Sequence, residues 1–256
     1  MTCFAFSCRM TFWFLAGSLL LAVPAHAQTD DEALEDAPAQ ETQNAYGSSL
    51  GAQVVLTNSG FGLGGLLRVG LGERTSFMTE VALGAGKDER EVAFFDRFGR
   101  KDVPNKAHYL LMLPVQFGLH RRLFRAHIED NFRPYVQVST GPTLGWEYPY
   151  FEDCNGDLQY DPNTDCNGDG TLQTEEGERI YDSIGAIPKG RLRTGLGGTV
   201  AFGAHFGFSR KATQGVRFGY TFTYFFDGIQ LLEPQVREPQ HFFGTPSISV
   251  FFGRLF

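Results

Sequence analysis

The sequence predicts an all-β fold: an eight-stranded antiparallel transmembrane β-barrel with long extracellular loops. Three observations predict it. Val216, Phe218, Tyr220, Phe222 and Tyr224 alternate with Arg217, Gly219, Thr221 and Thr223. A strand with one oily face and one polar face is what a barrel needs, because lipid-facing and lumen-facing residues alternate along it. Segments of this kind recur from Tyr46 to the terminal Phe256, an even number of times. The chain also opens on Arg9, an apolar stretch from Phe12 to Val23 and the small-residue site Ala25-His26-Ala27. That order reads as a secretory signal peptide cleaved near Ala27. The apolar stretch falls short of the roughly 20 residues a spanning helix requires.

Each strand follows from its own pattern. Residues 28–44 are acidic, contain Pro38 and show no apolar period, so they are expected to form a disordered periplasmic tail. The barrel is expected over 45–256. Its first strand runs from Tyr46 to Thr57, with Leu50, Ala52, Val54 and Leu56 on one face. The second runs from Phe61 to Leu71, with Leu63, Leu67 and Val69 outward and Arg68 inward. The turn Gly72-Glu73-Arg74 leads to the third, Thr75 to Gly86, with Phe77, Val81 and Leu83 opposed to Glu80. After a mixed-charge loop from Lys87 to Asn105, the fourth runs from Ala107 to His120, with Gln116 and His120 inward. The fifth covers Arg133 to Tyr148, with Gln137, Ser139, Thr143 and Glu147 inward. The sixth covers Gly190 to Phe206, with Arg191, Arg193, Thr199 and His205 inward. The aromatic alternation around Tyr220 is the seventh. The loop Asp227 to Pro239 leads to the eighth, which includes Ser247 to Phe256. Short and long connections alternate, which puts both termini in the periplasm and the long loops outside. Trp146, Tyr148 and Tyr224 are expected at the outer rim and Phe206 and Phe252 at the inner one.

An eight-stranded barrel has an interior that side chains can fill. The inward charges Arg68, Glu80, Glu147, Arg191, Arg193 and Arg217 must then pair, Glu80 and Glu147 taking partners among Arg68, Arg193 and Arg217. Pro114, Pro142 and Pro246 fall inside predicted strands, where a missing N–H calls for a bulge or a rim position.

Charge is segregated. The formal charge is −7. Asp30, Asp31, Glu32, Glu35, Asp36 and Glu41 crowd the tail, and residues 150–182 hold Arg179 as their only base. The remainder of the exported chain is basic, which suits anionic lipid headgroups. No nucleic-acid motif is present, and export argues against that partner.

One motif survives its context. Asp153-Cys154-Asn155-Gly156-Asp157 is repeated as Asp165-Cys166-Asn167-Gly168-Asp169, and the second copy runs on through Gly170 and Thr171 to Glu175-Glu176. This satisfies D-x-[DN]-x-[DN]-G-x5-E. Asp165, Asn167 and Asp169 would direct oxygens at one Ca2+, Thr171 would add its carbonyl, and Glu176 would bind with both oxygens. Asp153, Asn155 and Asp157 could form a second, weaker site. Cys154 and Cys166 are the only cysteines left after export, so one disulfide is expected in an oxidising compartment. The calcium loop occupies 150–189.

Other matches fail. Gly47-Ser48-Ser49-Leu50-Gly51 fits a nucleophile elbow, but no helix follows it. Gly60, Gly62 and Gly65 fit a dinucleotide fingerprint, but the next residues alternate as a strand. His108, His120, His127, His205 and His241 are scattered with no metal-ligand spacing.

The segment 153–176 resembles an EF-hand calcium loop or the Asp-rich repeats of thrombospondin-type proteins. Residues 45–256 resemble the small eight-stranded outer-membrane barrels, the OmpA-like and OmpW-like families. The likeness rests on the signal peptide, the alternating segments, Arg133-Pro134-Tyr135-Val136 leading into Gly141-Pro142, and terminal Phe256. It implies residence in a bacterial outer membrane among its lipids, and insertion by the outer-membrane assembly machinery. That machinery reads a last strand in which Arg254 stands where an aromatic or apolar residue is usual. No catalytic residues come with the likeness. The expected function is non-catalytic: a barrel that displays a calcium-stabilised loop for envelope integrity, adhesion or an extracellular ligand. The alternatives are a narrow conduit for small or hydrophobic molecules and a lipid-modifying barrel enzyme.

Overall fold

Alternating strands with an oily outer face close into a ring in the computed structural model, which describes residues 48–72, 74–95, 97, 101–124, 132–166, 177–182, 184–206 and 212–256. The expected signal peptide and acidic tail lie outside them. The strands are β1 (Ser49–Thr57), β2 (Gly60–Gly70), β3 (Thr75–Gly86), β4 (Phe94–Phe95), β5 (Lys101–Asp102), β6 (His108–Arg122), β7 (Phe132–Pro149), β8 (Arg191–Phe206), β9 (Ala212–Ile229) and β10 (Gln240–Leu255). Eight of them form a closed antiparallel barrel in the order β1-β10-β9-β8-β7-β6-β3-β2. Closure pairs Ser49 with Leu255 and Thr57 with Ser247. It leaves no free barrel edge, so each strand of the wall pairs with a neighbour on both sides.

Alternation sets the two faces. Leu50, Leu56, Phe61, Leu63, Leu83, Leu119, Val138, Val200, Phe202, Tyr220 and Phe252 are exposed on the outside. Gln53, Arg68, Glu80, Gln116, His120, Gln137, Ser139, Thr199, His205, Arg217 and Ser249 are buried inside. An apolar exterior around a polar interior inverts the usual soluble pattern and matches a wall that faces lipid.

The connections also alternate. β1 and β2 meet through Asn58 and Ser59, where Gly60 takes φ +130°, a conformation that disfavours other side chains. β3 and β6, β7 and β8, and β9 and β10 are joined at that same end by the long connections. The chain enters at Ser49 and leaves at Leu255 at the opposite end, called here the termini end.

Several expectations need correction. The connection from Lys87 to Asn105 contains a small hairpin, β4 paired with β5. β9 runs on through Asp227 to Ile229, into the expected loop, and Phe225 turns inward to complete burial. Arg191, the first residue of β8, is exposed, and Arg193 two residues on takes Glu147 instead. Tyr148 is buried rather than exposed at the rim, since Tyr109 stacks on it at 5.1 Å. The prolines do interrupt pairing without ending strands. The β3–β6 ladder skips residues 82–83 opposite 113–114, the β6–β7 ladder skips 115–116 opposite 141–142, and the register is the same on both sides of each gap. Pro114 and Pro142 have no N–H to donate there. Pro246 stays paired with Tyr220 and faces outward.

Candidate functional site: a filled lumen under a knitted loop cap

The inward side chains stack in layers. At the termini end, Arg68 Nη1 donates to His205 Nε2 at 2.7 Å, and His120 Nε2 lies 3.0 Å from that same nitrogen. Arginine can only donate, so His205 Nε2 must accept and its proton sits on Nδ1, 3.1 Å from Thr213 Oγ1. Tyr135 packs on His120 at 4.0 Å and on His205 at 4.7 Å, and Phe251 meets His205 edge-on at 4.7 Å. The barrel therefore brings together two histidines that look unrelated in sequence. Closure of β6 through β7 to β8 does this, not local spacing.

The middle layer is an ion pair held from five strands. Arg217 Nη1 donates to Glu80 Oε2 at 2.6 Å and Nη2 to Oε1 at 2.7 Å. Gln53 donates to the same carboxylate at 2.6 Å and Gln137 at 3.4 Å. Nη2 also reaches Gln53 Oε1 and Ser249 Oγ, both at 3.1 Å. Arg217 and Glu80 are only 4% and 8% exposed. A bidentate pair with its remaining donors satisfied is the geometry that makes a buried charge tolerable. Of the partners expected for Glu80, the register selects Arg217. Glu147 pairs with Arg193 at 2.7 Å. Arg68 serves the histidine layer.

Above this layer lies a cavity of about 80 Å³, bounded by Val55, Met112, Pro114, Gln116, Thr199 and Thr221 among others. An apolar stopper lies beside it toward the long loops: Leu110, Phe225, Ile229, Leu231 and Phe243 form one buried cluster, and Met112, which also lines the cavity, packs against it. Phe225 and Phe243 meet edge-to-face at 5.6 Å.

The long connections are tied to one another over this stopper. Ala107 N donates to Leu231 O, Glu233 N to Asn105 O, Tyr150 N to Ala107 O and Tyr181 N to Tyr150 O. Two ion pairs reinforce them, Lys106–Glu91, buried, at 2.7 Å and Arg237–Asp88, half-buried, at 2.6 Å. Glu147 Oε1 accepts from Gln230 N at 3.0 Å, fastening the β9–β10 connection to the wall.

The repeated acidic motif sits on this cap. Cys154 and Cys166 form a disulfide with Cα atoms 5.3 Å apart. In the first copy, Asp153 accepts from Gly156 N at 2.7 Å and Leu158 N at 3.2 Å, Asn155 from Asp157 N at 3.0 Å, and Asp157 from Gln159 N at 2.8 Å. These are successive side-chain turns that shape the loop. Asp165 is half-buried. Asn167, Asp169, Thr171 and Glu176 lie outside the described residues. Among the described residues, no group of three His, Cys, Asp or Glu side chains is placed to hold a metal. Sequence reasoning missed Glu178. It is 3% exposed and accepts from Cys154 N at 3.2 Å and Asp161 N at 2.9 Å, clasping the loop from below. Its position just past the second copy is the only signal that could have pointed to it.

His108 Nδ1 lies 2.7 Å from Gln230 O, and His241 stacks on Tyr224 at 5.7 Å. His127 lies outside the described residues.

No protein-family model and no curated protein sequence matches the chain. Solved structures that resemble it include Neisserial surface protein A, with TM-score 0.40 and 9% identity over 82% of this chain and 94% of that one. The attachment invasion locus protein Ail of Yersinia pestis, solved with the heparin analogue sucrose octasulfate, gives 0.38 and 10% over 82% and 97%. The outer membrane protein OprG of Pseudomonas aeruginosa gives 0.34 and 11% over 82% and 96%. The overlap is long but the superposition poor, so no residue of those proteins is carried over.

Proposed function

We propose that this chain is a non-catalytic barrel of a bacterial outer membrane that presents a disulfide-closed, calcium-stabilised loop outside the cell, for envelope integrity, adhesion or partner binding. The observation that carries this reading is the obstruction of the lumen. The Glu80–Arg217 layer crosses it, and the apolar stopper at Phe225 and the knitted connections narrow it toward the long loops. A wall exposing Phe61, Leu63, Phe202 and Phe252 to its surroundings supports a membrane setting. Calcium is supported by the full motif match at Asp165, Asn167, Asp169, Thr171 and Glu176 and by the crowding of acids in 150–182. The disulfide and the Glu178 clasp hold the start of that loop before any ion arrives, which lowers the ordering cost of binding.

A narrow conduit is the second reading, and the cavity above Arg217 favours it. Passage would require both the ion-pair layer and the stopper to part.

Proteolysis of intact cells tests display. With a calcium chelator present, cleavage is expected within 150–182, with 28–43 spared; millimolar calcium should protect the loop, and magnesium should do so poorly because it demands stricter geometry. The Asp165→Ala variant should lose the protection. Cutting of the 28–43 segment in intact cells would reverse the orientation. Equal cleavage with and without calcium would leave the loop merely acidic.

A further inference from the structure

The outer wall is not evenly covered. Its apolar side chains stand in rows fixed by the register. Val136, Phe202, Phe218 and Ile248 form one row across β7, β8, β9 and β10. Val138, Val200, Tyr220 and Pro246 form the next, on the side of the long loops. Between the two rows runs an open trough of about 670 Å³. Its floor is the intervening row, Gln137, Ala201, Gly219 and Ser247, which belongs to the inward face.

Side-chain packing opens this trough. Phe202 and Phe218 stack on each other with centroids 5.5 Å apart, so they pack along their own row. Tyr220 lies over Gly244, two residues past its partner Pro246 toward the long loops. A glycine there leaves room for the ring, which is thereby drawn out of the trough. Val138, Val200 and Pro246 are too short to fill the space. Rows two residues apart on a strand stand about 7 Å apart, and three strand spacings make the trough about 14 Å long. A hydrocarbon chain fits that width. An α-helix, about 10 Å across with its side chains, does not reach the floor. A second barrel presents a convex wall and meets only the rims. The trough also curves with the barrel, which a flexible chain can follow.

We infer that this trough is a binding site for one acyl chain of a glycerophospholipid from the leaflet at the termini end. The inference rests on the membrane-barrel reading above and adds a defined lipid site to it. The trough is continuous with the apolar exterior, since Val138, Val200, Phe202 and Tyr220 are all exposed there. Its Gln137 end lies closer to the termini end of β7, at Phe132, than its Ser247 end does to that of β10, at Leu255. A chain entering beside β7 therefore runs obliquely inward toward β10. Burial from water does not drive this binding, because lipid tails are as apolar as the wall. The gain is contact: a chain lying between two rows touches side chains on both flanks and backbone beneath, and many small dispersion terms add.

The test uses the folded protein in vesicles that contain phosphatidylglycerol with a photoreactive diazirine in mid-chain, and labelled residues are mapped by peptide mass spectrometry. Labelling should concentrate on Val136, Val138, Val200 and Phe218, roughly threefold over Leu63, Leu67 and Val81, which face lipid on the β2–β3 side. The Val138→Phe, Val200→Phe variant fills the trough and should bring labelling there down to the level of the β2–β3 side, while Leu63→Phe should leave the enrichment intact. Should the double variant fail to insert, Val200→Phe alone carries the test and should lower the enrichment in part. Even labelling of both sides by wild type, or enrichment that survives filling, would overturn the inference. Protection of the trough from the probe, together with a dimer by light scattering, would assign it to a second copy and also overturn it. Insertion, read as heat-modifiable migration, is scored separately. A protein that inserts but labels evenly contradicts only this inference, and a wild type that fails to insert contradicts the barrel reading itself.

Discussion

Replacing Glu80 with alanine puts the lumen under its sharpest strain. Arg217 would keep Gln53, Gln137 and Ser249 as acceptors but lose both carboxylate oxygens, at 2.6 and 2.7 Å, while remaining 4% exposed. Gln53 would lose the acceptor of its own 2.6 Å bond. Removing one member of a buried pair costs about 3–5 kcal/mol, because the other charge stays buried and uncompensated. An exposed substitution such as Glu238→Ala should fall within about 0.5 kcal/mol of wild type. Adding Arg217→Met to Glu80→Ala removes the orphaned charge, and apolar replacement of a whole buried pair is often neutral. The double variant should therefore recover most of the loss. The assay is urea-driven unfolding of the barrel refolded into lipid vesicles, followed by the heat-modifiable shift on gels. If Glu80→Ala costs no more than Glu238→Ala, or if the two single losses simply add, the ion pair does not hold the lumen as described.

Two further predictions concern the cap. Phe225→Ala empties the centre of the apolar stopper, where the ring is fully buried against Leu110 and Phe243; it should destabilise the barrel by about 3–5 kcal/mol in the same unfolding assay, and a loss below about 1 kcal/mol would show that the stopper is not packed. Reducing Cys154–Cys166 releases a loop closed over a separation of 12 residues, worth roughly 3 kcal/mol in the chain-entropy view; reduction should speed proteolysis within 150–166 and weaken calcium binding by calorimetry, with unchanged calcium affinity contradicting the pre-ordering role.

The strands were legible because alternation is a local signal. β3 occupies the expected Thr75–Gly86, and the inward set Gln116, Gln137, Thr199 and Arg217 follows from parity alone. Legibility weakened where the pattern gave no contrast. Tyr224-Phe225-Phe226 is aromatic at every position, so composition gives no contrast there, and only the parity carried on from Thr221 and Thr223 marks Phe225 as inward. β4 and β5 are two residues each, too short for any period to register. Partner choice was not local either. Arg68, Arg193 and Arg217 all read as inward, and only the ring order and register give Arg217 to Glu80 and Arg193 to Glu147. The same holds for His120 and His205, 85 residues apart yet in contact. Glu178 is one acid among many in its segment, and its burial depends on the folding of a loop that has no periodicity to read.

The most direct test of the account is conductance of the purified protein in planar lipid bilayers. With Glu80, Arg217 and the stopper around Phe225 in place, the wild-type barrel should show little steady current at moderate voltage. A combined Glu80→Ala, Phe225→Ala variant, verified as inserted, should conduct more than wild type. Large and stable open-channel currents from the wild type would contradict the filled lumen and favour the conduit.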